Sequence, residues 1–292
     1  MKVLIIGSKG FVGKYVADQL GFKHEVIKSN NNKSDSFYIN LLEIDTVYDA
    51  LVKVQPEAIV NCAGIVENSE KAQQNPIMLR NLLEAVVKAK LNPKSIIYLG
   101  SAAEYGEVGI QNKAISEDAP LKADSIYGLS KIEENKIANK FRKEHELKIV
   151  EARIFNPIGA GMNHRQLIPS LVNQIKEIKE NNRGQIEVNR LDSLRDYISI
   201  RDVANAIELI IEGSPSYSVY NIGTGKCTSN KDLVRLIIKN SNLVNQPNII
   251  EKSINKEPVF ASMADISRLR EDFKWKPSAS LDETIKEIVS AT

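Results

Sequence analysis

Hydrophobic residues in this sequence fall into short unbroken runs that alternate with stretches of helical periodicity. A strand buried on both faces has no polar alternation and reads as such a run, whereas apolar residues three and four apart mark one face of a helix. The alternation over residues 1–155 predicts an α/β fold with a Rossmann-type doubly wound parallel sheet. The expected strands are residues 2–6, 24–28, 37–39, 58–64, 95–101 and 148–154.

A glycine-rich turn, G7-S-K-G10-F-V-G13, follows the first expected strand and precedes a helix. Gly7 would permit the tight turn, Gly10 the close approach of a pyrophosphate, and Gly13 the packing of the helix on the strand. The free N–H groups at the helix N-terminus would hold the phosphate. This order of elements indicates a dinucleotide site, the alternative being a glycine-rich loop without a ligand.

The alternation loosens after residue 156, where helices are interspersed with short extended pieces. We therefore expect a dinucleotide-binding domain over 1–155 and a smaller mixed C-terminal lobe over 156–292 that mainly binds substrate. Residues near 197–222 are expected to return to the first domain. In open parallel sheets ligands bind beyond the carboxyl ends of the strands, so candidate chemistry should lie in the loops that follow them.

Composition argues against several classes of protein. The 292 residues carry a net charge of +2, which gives no bulk attraction to nucleic acid or to an anionic membrane. The two cysteines and three histidines are scattered, so no metal site is expected. The chain is expected to enter a strand by residue 3, so no signal peptide is expected, and no apolar run approaches the roughly 18 residues of a membrane span. A cytoplasmic location is therefore expected.

Three residues form the main candidate for catalysis: Ser101, Tyr127 and Lys131. Tyr127 and Lys131 lie four apart at the start of an expected helix and so share a face. An ammonium group beside a phenol favours the ionised phenol, which can give or take a proton. Ser101 ends the fifth expected strand, where its hydroxyl could hold a substrate oxygen. Taken alone, such a pair is usually a solvated helix face, but its place after a glycine turn and a strand that ends in Ser favours proton transfer coupled to hydride transfer.

Taken in order, these motifs resemble those of the extended short-chain dehydrogenases/reductases of the NAD-dependent epimerase/dehydratase type, which act on nucleotide-sugars. The resemblance covers nearly the whole chain. Besides the glycine turn it includes N61-C-A-G64, S101-A-A-E-Y-G106, Y127-x-x-x-K131, R153-I-F-N-P-I-G-A-G161, R195-D-Y-I-S-I-R-D-V203, Y220-N-I-G-T-G225, A264-D-I-S-R-L and W275-K-P277.

The resemblance implies a role for each candidate. Tyr127 would be the general acid/base, Lys131 would support it and hold the nicotinamide ribose, and Ser101 would orient the sugar oxygen. Cofactor contacts are expected at Gly7, Gly10, Phe11, Val12, Gly13, Ser29, Asn30, Asn40, Leu41, Cys62, Ala63, Gly64, Asn75, Tyr127, Lys131 and Phe155. Substrate contacts are expected at Ser101, Ala102, Ala103, Glu104, Tyr127, Asn156, Arg195 and Lys256.

Some of these assignments have open alternatives. Asn81 competes with Asn75 for the same role, and Lys256 stands in for a phosphate-binding arginine that the family carries and this chain lacks. Arg195 would bind phosphate through its planar fork, unless it forms a surface pair with its neighbour Asp196. Asn156 is alternatively a turn residue before a proline.

Two departures from the family pattern narrow the expected chemistry. Many NAD-using relatives have an acidic residue at the end of the second strand, where this chain has Ser29 and Asn30. Because no carboxylate is present there to repel a ribose 2′-phosphate, NADP(H) is favoured and NAD(H) remains possible. Alternatively, this loop is a plain polar turn without a role in binding. Dehydratases of the family place Asp-Glu after the catalytic hydroxyl residue, where this chain has Ala102 and Ala103, so dehydration is not expected.

The tripeptide E104-Y-G106 resembles reductases of 4-keto-6-deoxy sugars. The expected function is therefore reduction of the C4 keto group of a nucleotide-diphosphate 4-keto-6-deoxyhexose. An NDP-sugar 4-epimerase with tightly bound NAD is the alternative, and a non-catalytic nucleotide-sugar or NAD(P)-binding protein is a more remote one. A homodimer is expected through the apolar faces of helices 77–88 and 126–143, unless those faces pack on the sheet.

Overall fold

A six-stranded parallel sheet forms the centre of the protein. The computed structural model describes residues 1–32, 37–107, 113–163, 166–181, 184–243, 245–252 and 261–291. The strands are β1 (Lys2–Ile6), β2 (Glu25–Ser29), β3 (Ala58–Asn61), β4 (Ser95–Ser101), β5 (Ile149–Ile154), β6 (Pro157–Ile158), β7 (Gln185–Val188), β8 (Leu194–Arg195), β9 (Ile198–Ser199), β10 (Val219–Ile222), β11 (Thr228–Ser229), β12 (Asn248–Glu251) and β13 (Ala261–Ser262). The helices are α1 (Phe11–Leu20), α2 (Ile44–Val54), α3 (Asn75–Lys88), α4 (Ile126–His145), α5 (Leu167–Asn181), α6 (Ile200–Glu212), α7 (Asn230–Asn240), α8 (Ser267–Phe273) and α9 (Leu281–Ala291).

The order of strands across the central sheet is β10-β5-β4-β3-β1-β2. Each strand is parallel to its neighbours. The chain therefore builds outward from β1 in one direction and then in the other, which opens a crevice at the carboxyl ends of β1 and β3. The predicted Rossmann-type sheet is confirmed.

One predicted strand is absent from this sheet. Residues 37–39 contribute only an isolated bridge between Asn30 and Tyr38. The run is too short to form a ladder. Its last residue, Ile39, is instead buried on the face of the sheet that α2, α3 and α4 cover. The second strand also begins at Glu25, one residue later than predicted, and ends at Ser29.

Helices cover both faces of the sheet. Helices α1 and α6 pack on one face through residues such as Val16, Leu20 and Ile207, and α2, α3 and α4 pack on the other. The apolar face of α3, which includes Leu82 and Leu83, is therefore buried in the chain's own core.

The burial of apolar helix faces also concerns the surface through which a homodimer was predicted. The apolar faces of α3 and α4 pack on the sheet, which was the alternative reading of their pattern. What these helices leave on the surface is mainly charged, with Ile77 and Leu129 each about half exposed, at 51% and 53%. The homodimer itself stays a prediction.

A smaller apolar cluster joins α5, α7 and α9 to the strands β7 and β12. Residues of β10 and α6, by contrast, pack with the central sheet. The division of the chain near residue 155 stays a prediction, as does the cytoplasmic location. In the described part of the chain, no helix is both long enough and apolar enough to cross a membrane.

The glycine turn between β1 and α1 depends on two close approaches of the backbone. Gly7 has a φ of +78°, and a Cβ at this position would lie 2.7 Å from the backbone nitrogen of Ala63. A Cβ on Gly13 would collide with the carbonyl oxygen of Gly7. The N–H groups of Gly7 and Ser8 both donate to the carbonyl oxygen of Ser29, at 3.0 and 3.1 Å. The turn is thereby fixed to the ends of two neighbouring strands.

We expect Gly7→Ala to lower the free energy of unfolding by about 1–3 kcal/mol, because alanine is strained at this φ and its methyl group meets the backbone of Ala63, just after β3. Gly184→Ala is the control, since nothing lies within 4 Å of a Cβ there, and it should change stability by no more than about 0.5 kcal/mol. Equilibrium urea unfolding measures both. Equal stability of the two variants would contradict the close approach at Gly7.

Candidate active site

Two clefts lie beyond the carboxyl ends of the central strands. The smaller cleft, about 330 Å³, lies over the glycine turn and the ends of β1 and β3. The larger cleft, about 670 Å³, lies between the end of β4, the first turn of α4 and the C-terminal lobe. The candidate residues from the sequence divide between these two spaces.

The smaller cleft contains half of the predicted cofactor contacts. Those that line it are Gly7, Gly10, Asn30, Asn40, Leu41, Cys62, Ala63 and Gly64. Sequence reasoning missed several other lining residues. The most informative of these is Lys9, which stands between the first two glycines and could have been noticed there. The others include Asn31, Gln74 and Met78.

The structure does not bring the side chains of Ser29, Asn75 and Phe155 into the smaller cleft, because all three are fully buried. The Ser29 hydroxyl donates to the carbonyl oxygen of Ile5 at 3.3 Å. The Phe155 ring packs against Tyr105, with ring centroids 6.1 Å apart. Ser29 and Phe155 pack within the fold and Asn75 secures a neighbouring loop, so their predicted contacts with a cofactor stay predictions.

Asn75 secures the loop that follows β3. Its side-chain amide pairs with the N–H and C=O of Ile65, at 2.8 and 2.9 Å, and it donates to Ser130 Oγ on α4 at 3.2 Å. The competing residue, Asn81, donates to the carbonyl oxygen of Leu41 at 2.8 Å. Gly13 is buried under the turn, and Phe11 and Val12 pack on the core cluster.

Ser101 and Tyr127 both line the larger cleft. Tyr127 lies in the first turn of α4, whose N-cap Ser125 accepts the N–H of Gly128 at 3.0 Å. Lys131, one turn further along, is only 5% exposed, and its Nζ lies 5.8 Å from the centre of the Tyr127 ring. The Nζ also donates to the carbonyl oxygen of Leu99 on β4 at 2.9 Å. The predicted trio is thus gathered at one edge of the sheet.

Lys131 lies between residues of the two clefts, although it is in the lining of neither. Its Nζ would be 3.7 Å from a Cβ built on Gly64, and Gly64 lines the smaller cleft. On its other side is Tyr127, which lines the larger one. A molecule that extends from one cleft into the other would therefore pass close to the ammonium group of Lys131.

The Ser101 hydroxyl is oriented by the turn that follows β4. Its Oγ accepts the N–H of Ala103 at 3.2 Å, and its own N–H donates to Glu104 Oε1 at 2.8 Å. A hydroxyl has one donor and two acceptor sites. The Ser101 hydroxyl accepts from Ala103 and donates to no described residue, so its proton is available to a substrate oxygen in the cleft.

Glu104 itself does not line the larger cleft, in contrast to the expectation that it contacts substrate. Its side chain is fully buried under the sheet edge, where it forms an ion pair with Arg153 at 2.9 Å. Arg153 also pairs with Glu151 at 2.7 Å and donates to the Tyr105 hydroxyl at 2.8 Å. We call Glu104, Glu151 and Arg153, with Lys131 and Glu134 of α4, the buried charge layer.

The pKa values in this layer follow from burial and pairing. Burial, and then the neighbouring Glu151 carboxylate, hold the pKa of Glu104 well above its ordinary value, although Arg153 opposes them. Burial alone would raise the pKa of Glu151, but Arg153 and hydrogen bonds from Asn135 and Tyr98 lower it below its ordinary value. Of these two carboxyl groups, Glu104 is therefore the one that is more easily protonated.

Asn156 and Arg195 line the larger cleft on the side of the C-terminal lobe. Asn156 donates to the backbone carbonyl oxygen of Asp196 at 3.0 Å. The Asp196 side chain is buried and accepts the N–H groups of Thr224, Gly225 and Ala264 at 2.8–3.1 Å, so it joins separate segments of the lobe. Arg195 is thereby held at the cleft next to a fixed anchor.

The remaining predicted substrate contacts differ in outcome. Ala102 and Ala103 line the larger cleft, and Lys256 lies outside the described residues. The C-terminal lobe and the loop after β3 add lining residues that were not among the predicted substrate contacts, because only the tertiary fold brings these segments to the cleft. They include Val66, Met162, Ser193, Tyr197, Asn230 and Ser262.

The sequence profile described as the NAD dependent epimerase/dehydratase family matches residues 3–223, which is most of the chain. The chain belongs to this family. A GDP-6-deoxy-D-mannose reductase of Pseudomonas aeruginosa is 24% identical to it over 306 residues, which cover 99% of this chain and 96% of that protein. A GDP-6-deoxy-D-talose 4-dehydrogenase of Aggregatibacter actinomycetemcomitans is 30% identical over 231 residues, which cover 77% of this chain and 75% of that protein.

A solved structure described as RMD from Pseudomonas aeruginosa complexed with NADPH has the same fold. Its TM-score is 0.87 at 22% identity, over 99% of this chain and 98% of that chain. The family and the Rossmann-type fold expected from the sequence are confirmed, and the protein is an NAD(P)-dependent enzyme of the epimerase/dehydratase family.

We expect Arg153→Met to lower the free energy of unfolding by about 3–5 kcal/mol, because it leaves the buried carboxylates of Glu104 and Glu151 without their cation. Lys136→Met is the control, since Lys136 pairs with Glu133 on the surface and should contribute less than about 1 kcal/mol. Equilibrium urea unfolding of both variants measures the difference. An Arg153 variant as stable as the control would show that the buried charge layer does not depend on its cation.

Proposed function

We propose that this enzyme uses a reduced nicotinamide cofactor to reduce the C4 keto group of a nucleotide-diphosphate 4-keto-6-deoxyhexose. The observation that carries the proposal is the position of Lys131, which lies between Gly64 of the smaller cleft and Tyr127 of the larger one. A cofactor in the smaller cleft could thus present its reactive end beside Ser101 and Tyr127. Two relatives are named for redox reactions of GDP-6-deoxyhexoses, which supports this substrate class.

The residues of the larger cleft suit proton transfer to a ketone. When bound, the nicotinamide would supply a hydride to the sugar carbon, and the carbonyl oxygen would gain negative charge. Ser101 donates a hydrogen bond to that oxygen with the proton that its own contacts leave available. Tyr127 gives the oxygen its proton, and the product is a hydroxyl group. Lys131 holds a positive charge beside the phenolate that remains.

The same cleft gives no support for dehydration. The two residues that follow Ser101 and line the cleft are alanines, and dehydratases that resemble this chain carry carboxylates there. Loss of water from the sugar needs an acid and a base at those positions. Ala102 and Ala103 can provide neither.

The substrate's diphosphate is proposed to bind near Arg195. The guanidinium group has a planar set of donors that matches two phosphate oxygens at once. Arg195 lines the same cleft as Ser101 and Tyr127, on the side of the C-terminal lobe. A nucleotide-sugar can therefore be held by its phosphates while its sugar ring lies at the catalytic trio.

NADPH is the proposed cofactor, in preference to NADH. The described residues that line the smaller cleft include the ammonium group of Lys9 and the amides of Asn30 and Asn31, and none of them is a carboxylate. A ribose 2′-phosphate would meet attraction from Lys9 and donors from the amides. A carboxylate at the end of β2, which would favour a free 2′-hydroxyl, is absent from that lining.

Incubation of the full chain with GDP-, dTDP- and UDP-linked 4-keto-6-deoxyhexoses tests the function. With NADPH we expect stoichiometric loss of the reduced cofactor's absorbance and formation of the C4 alcohol from at least one substrate. A parallel incubation uses nucleotide-hexoses that carry a C4 hydroxyl group. Interconversion of their C4 epimers with a retained NAD and no net oxidation would instead establish an epimerase. No reaction with any nucleotide-sugar would favour a binding protein.

The catalytic assignment has a matched pair of variants. Tyr127→Phe should lower turnover about a hundredfold or more, with the Kd of the cofactor nearly unchanged. Tyr48→Phe should retain full activity, because Tyr48 lies under Lys88 and lines neither cleft. A fully active Tyr127 variant would remove Tyr127 from the mechanism.

The cofactor preference is tested at Lys9. Lys9→Ala should raise the Kd of NADPH by about tenfold, which is the effect of one charged hydrogen bond, and should leave the Kd of NADH nearly unchanged. Lys14→Ala, on the exposed side of α1, serves as the control for the loss of a positive charge. Fluorescence titration of each variant with both cofactors gives the ratio. Equal weakening of NADPH and NADH would contradict a 2′-phosphate contact.

A further inference from the structure

The ammonium group of Lys131 is in contact with a second buried charge, the carboxylate of Glu134. The Lys131 Nζ lies 2.7 Å from Glu134 Oε2, and the two side chains are 5% and 3% exposed. Glu134 is one turn further along α4 and has no place in the family motifs or in the mechanism above. Both groups lie in the interior, on the side of α4 that faces the sheet.

Other charged groups approach this pair from each neighbouring element. On α4 itself, Tyr127 lies on the other side of Lys131. From the turn after β4, Glu104 acts on Lys131 through space, and from β5, Glu151 acts on Glu134. Both of those carboxylates are paired with Arg153.

The nearest group on β4 is the carbonyl oxygen of Leu99, which is uncharged. Among the described residues, Glu134 is therefore the carboxylate in direct contact with Lys131.

We propose that Glu134 is a positioning residue, the counter-ion that keeps Lys131 protonated inside the protein. The claim that the Lys131 charge assists catalysis rests on the proposed function. The pairing of Lys131 with Glu134 stands independently of it.

The physical reason is the cost of an isolated charge in the interior. Without a partner, a buried lysine loses its proton at a pH well below its ordinary value. Burial alone would lower the pKa of Lys131, but the Glu134 carboxylate, with smaller contributions from Tyr127 and Glu104, more than offsets this and the pKa is raised. Burial raises the pKa of Glu134, and the Lys131 charge opposes that rise. Each charge thus depends on the other.

The chain provides a matched control in the adjacent residue. Glu133 pairs with Lys136 at 3.0 Å, and these side chains are 47% and 67% exposed. A carboxylate in water contributes little to its partner because solvent screens the interaction. Glu133→Gln and Glu134→Gln therefore remove the same chemical group from the same helix, but only the second removes it from the interior.

The direct test is nuclear magnetic resonance of the full chain with lysine labelled by carbon-13 at Cε, with the Lys131 signal assigned by its loss in Lys131→Arg. We expect the midpoint of Lys131 titration to fall by about two pH units or more in Glu134→Gln. In Glu133→Gln it should not move. An unchanged midpoint in Glu134→Gln would overturn the inference. No substrate is needed, so this outcome is separate from that of the proposed function.

The catalytic consequence is measured in the reductase assay. The alkaline decline of turnover should begin at lower pH in Glu134→Gln than in the wild type, since Lys131 then loses its charge earlier, while Glu133→Gln keeps the wild-type profile. A Lys131 titration that shifts while the profile stays fixed would overturn the catalytic role of this charge. A shift in titration without reductase activity in any variant would refute the proposed function and leave the pairing established.

Loss of Glu134 could also prevent folding, and a double-variant cycle covers that case. Removal of one partner of a buried ion pair is more damaging than removal of both. The double variant Lys131→Met with Glu134→Gln should therefore unfold at a higher temperature than Glu134→Gln alone. A double variant that unfolds at the same or a lower temperature would overturn the pairing.

Discussion

The buried positive charge of Arg153 in the parallel sheet is the constraint on which the candidate active site at the end of β4 depends. Arg153 is carried on β5 and is almost completely buried, so its charge must be met by fixed partners. Glu151 meets it from the same strand and Glu104 from the turn after β4. Glu104 in turn accepts the N–H of Ser101. The need to pair one buried guanidinium thus fixes the backbone of Ser101, the candidate catalytic serine.

The sequence predicted most of the fold because the relevant signals are local. Continuous apolar runs marked the central strands, and the spacing of glycines marked the turn at Gly7, whose φ and close approach to β3 only glycine tolerates. The order of Ser101, Tyr127 and Lys131 along the chain likewise located the candidate trio. Each of these inferences needs only neighbouring residues or the known direction of a parallel sheet.

The failures concern the direction in which a side chain points, which local pattern does not determine. Ser29 stands at the expected strand end, but its side chain is directed into the sheet toward Ile5. Glu104 was expected to contact substrate because it follows Ser101 closely, but its side chain is buried in an ion pair with Arg153 of β5. Tyr197 and Asn230 reach the larger cleft only through the packing of the C-terminal lobe. Such placements depend on contacts between distant segments.

The charges of the buried layer also determine what field the substrate would meet. The layer holds three carboxylates, those of Glu104, Glu134 and Glu151, against the two cations Lys131 and Arg153. Burial and the nearby Glu151 hold the pKa of Glu104 well above its ordinary value, which limits the excess of negative charge in the layer. Among these charges, the ammonium group of Lys131 lies beside the Tyr127 ring, where in the proposed reaction a phenolate would form as a proton leaves for the sugar oxygen.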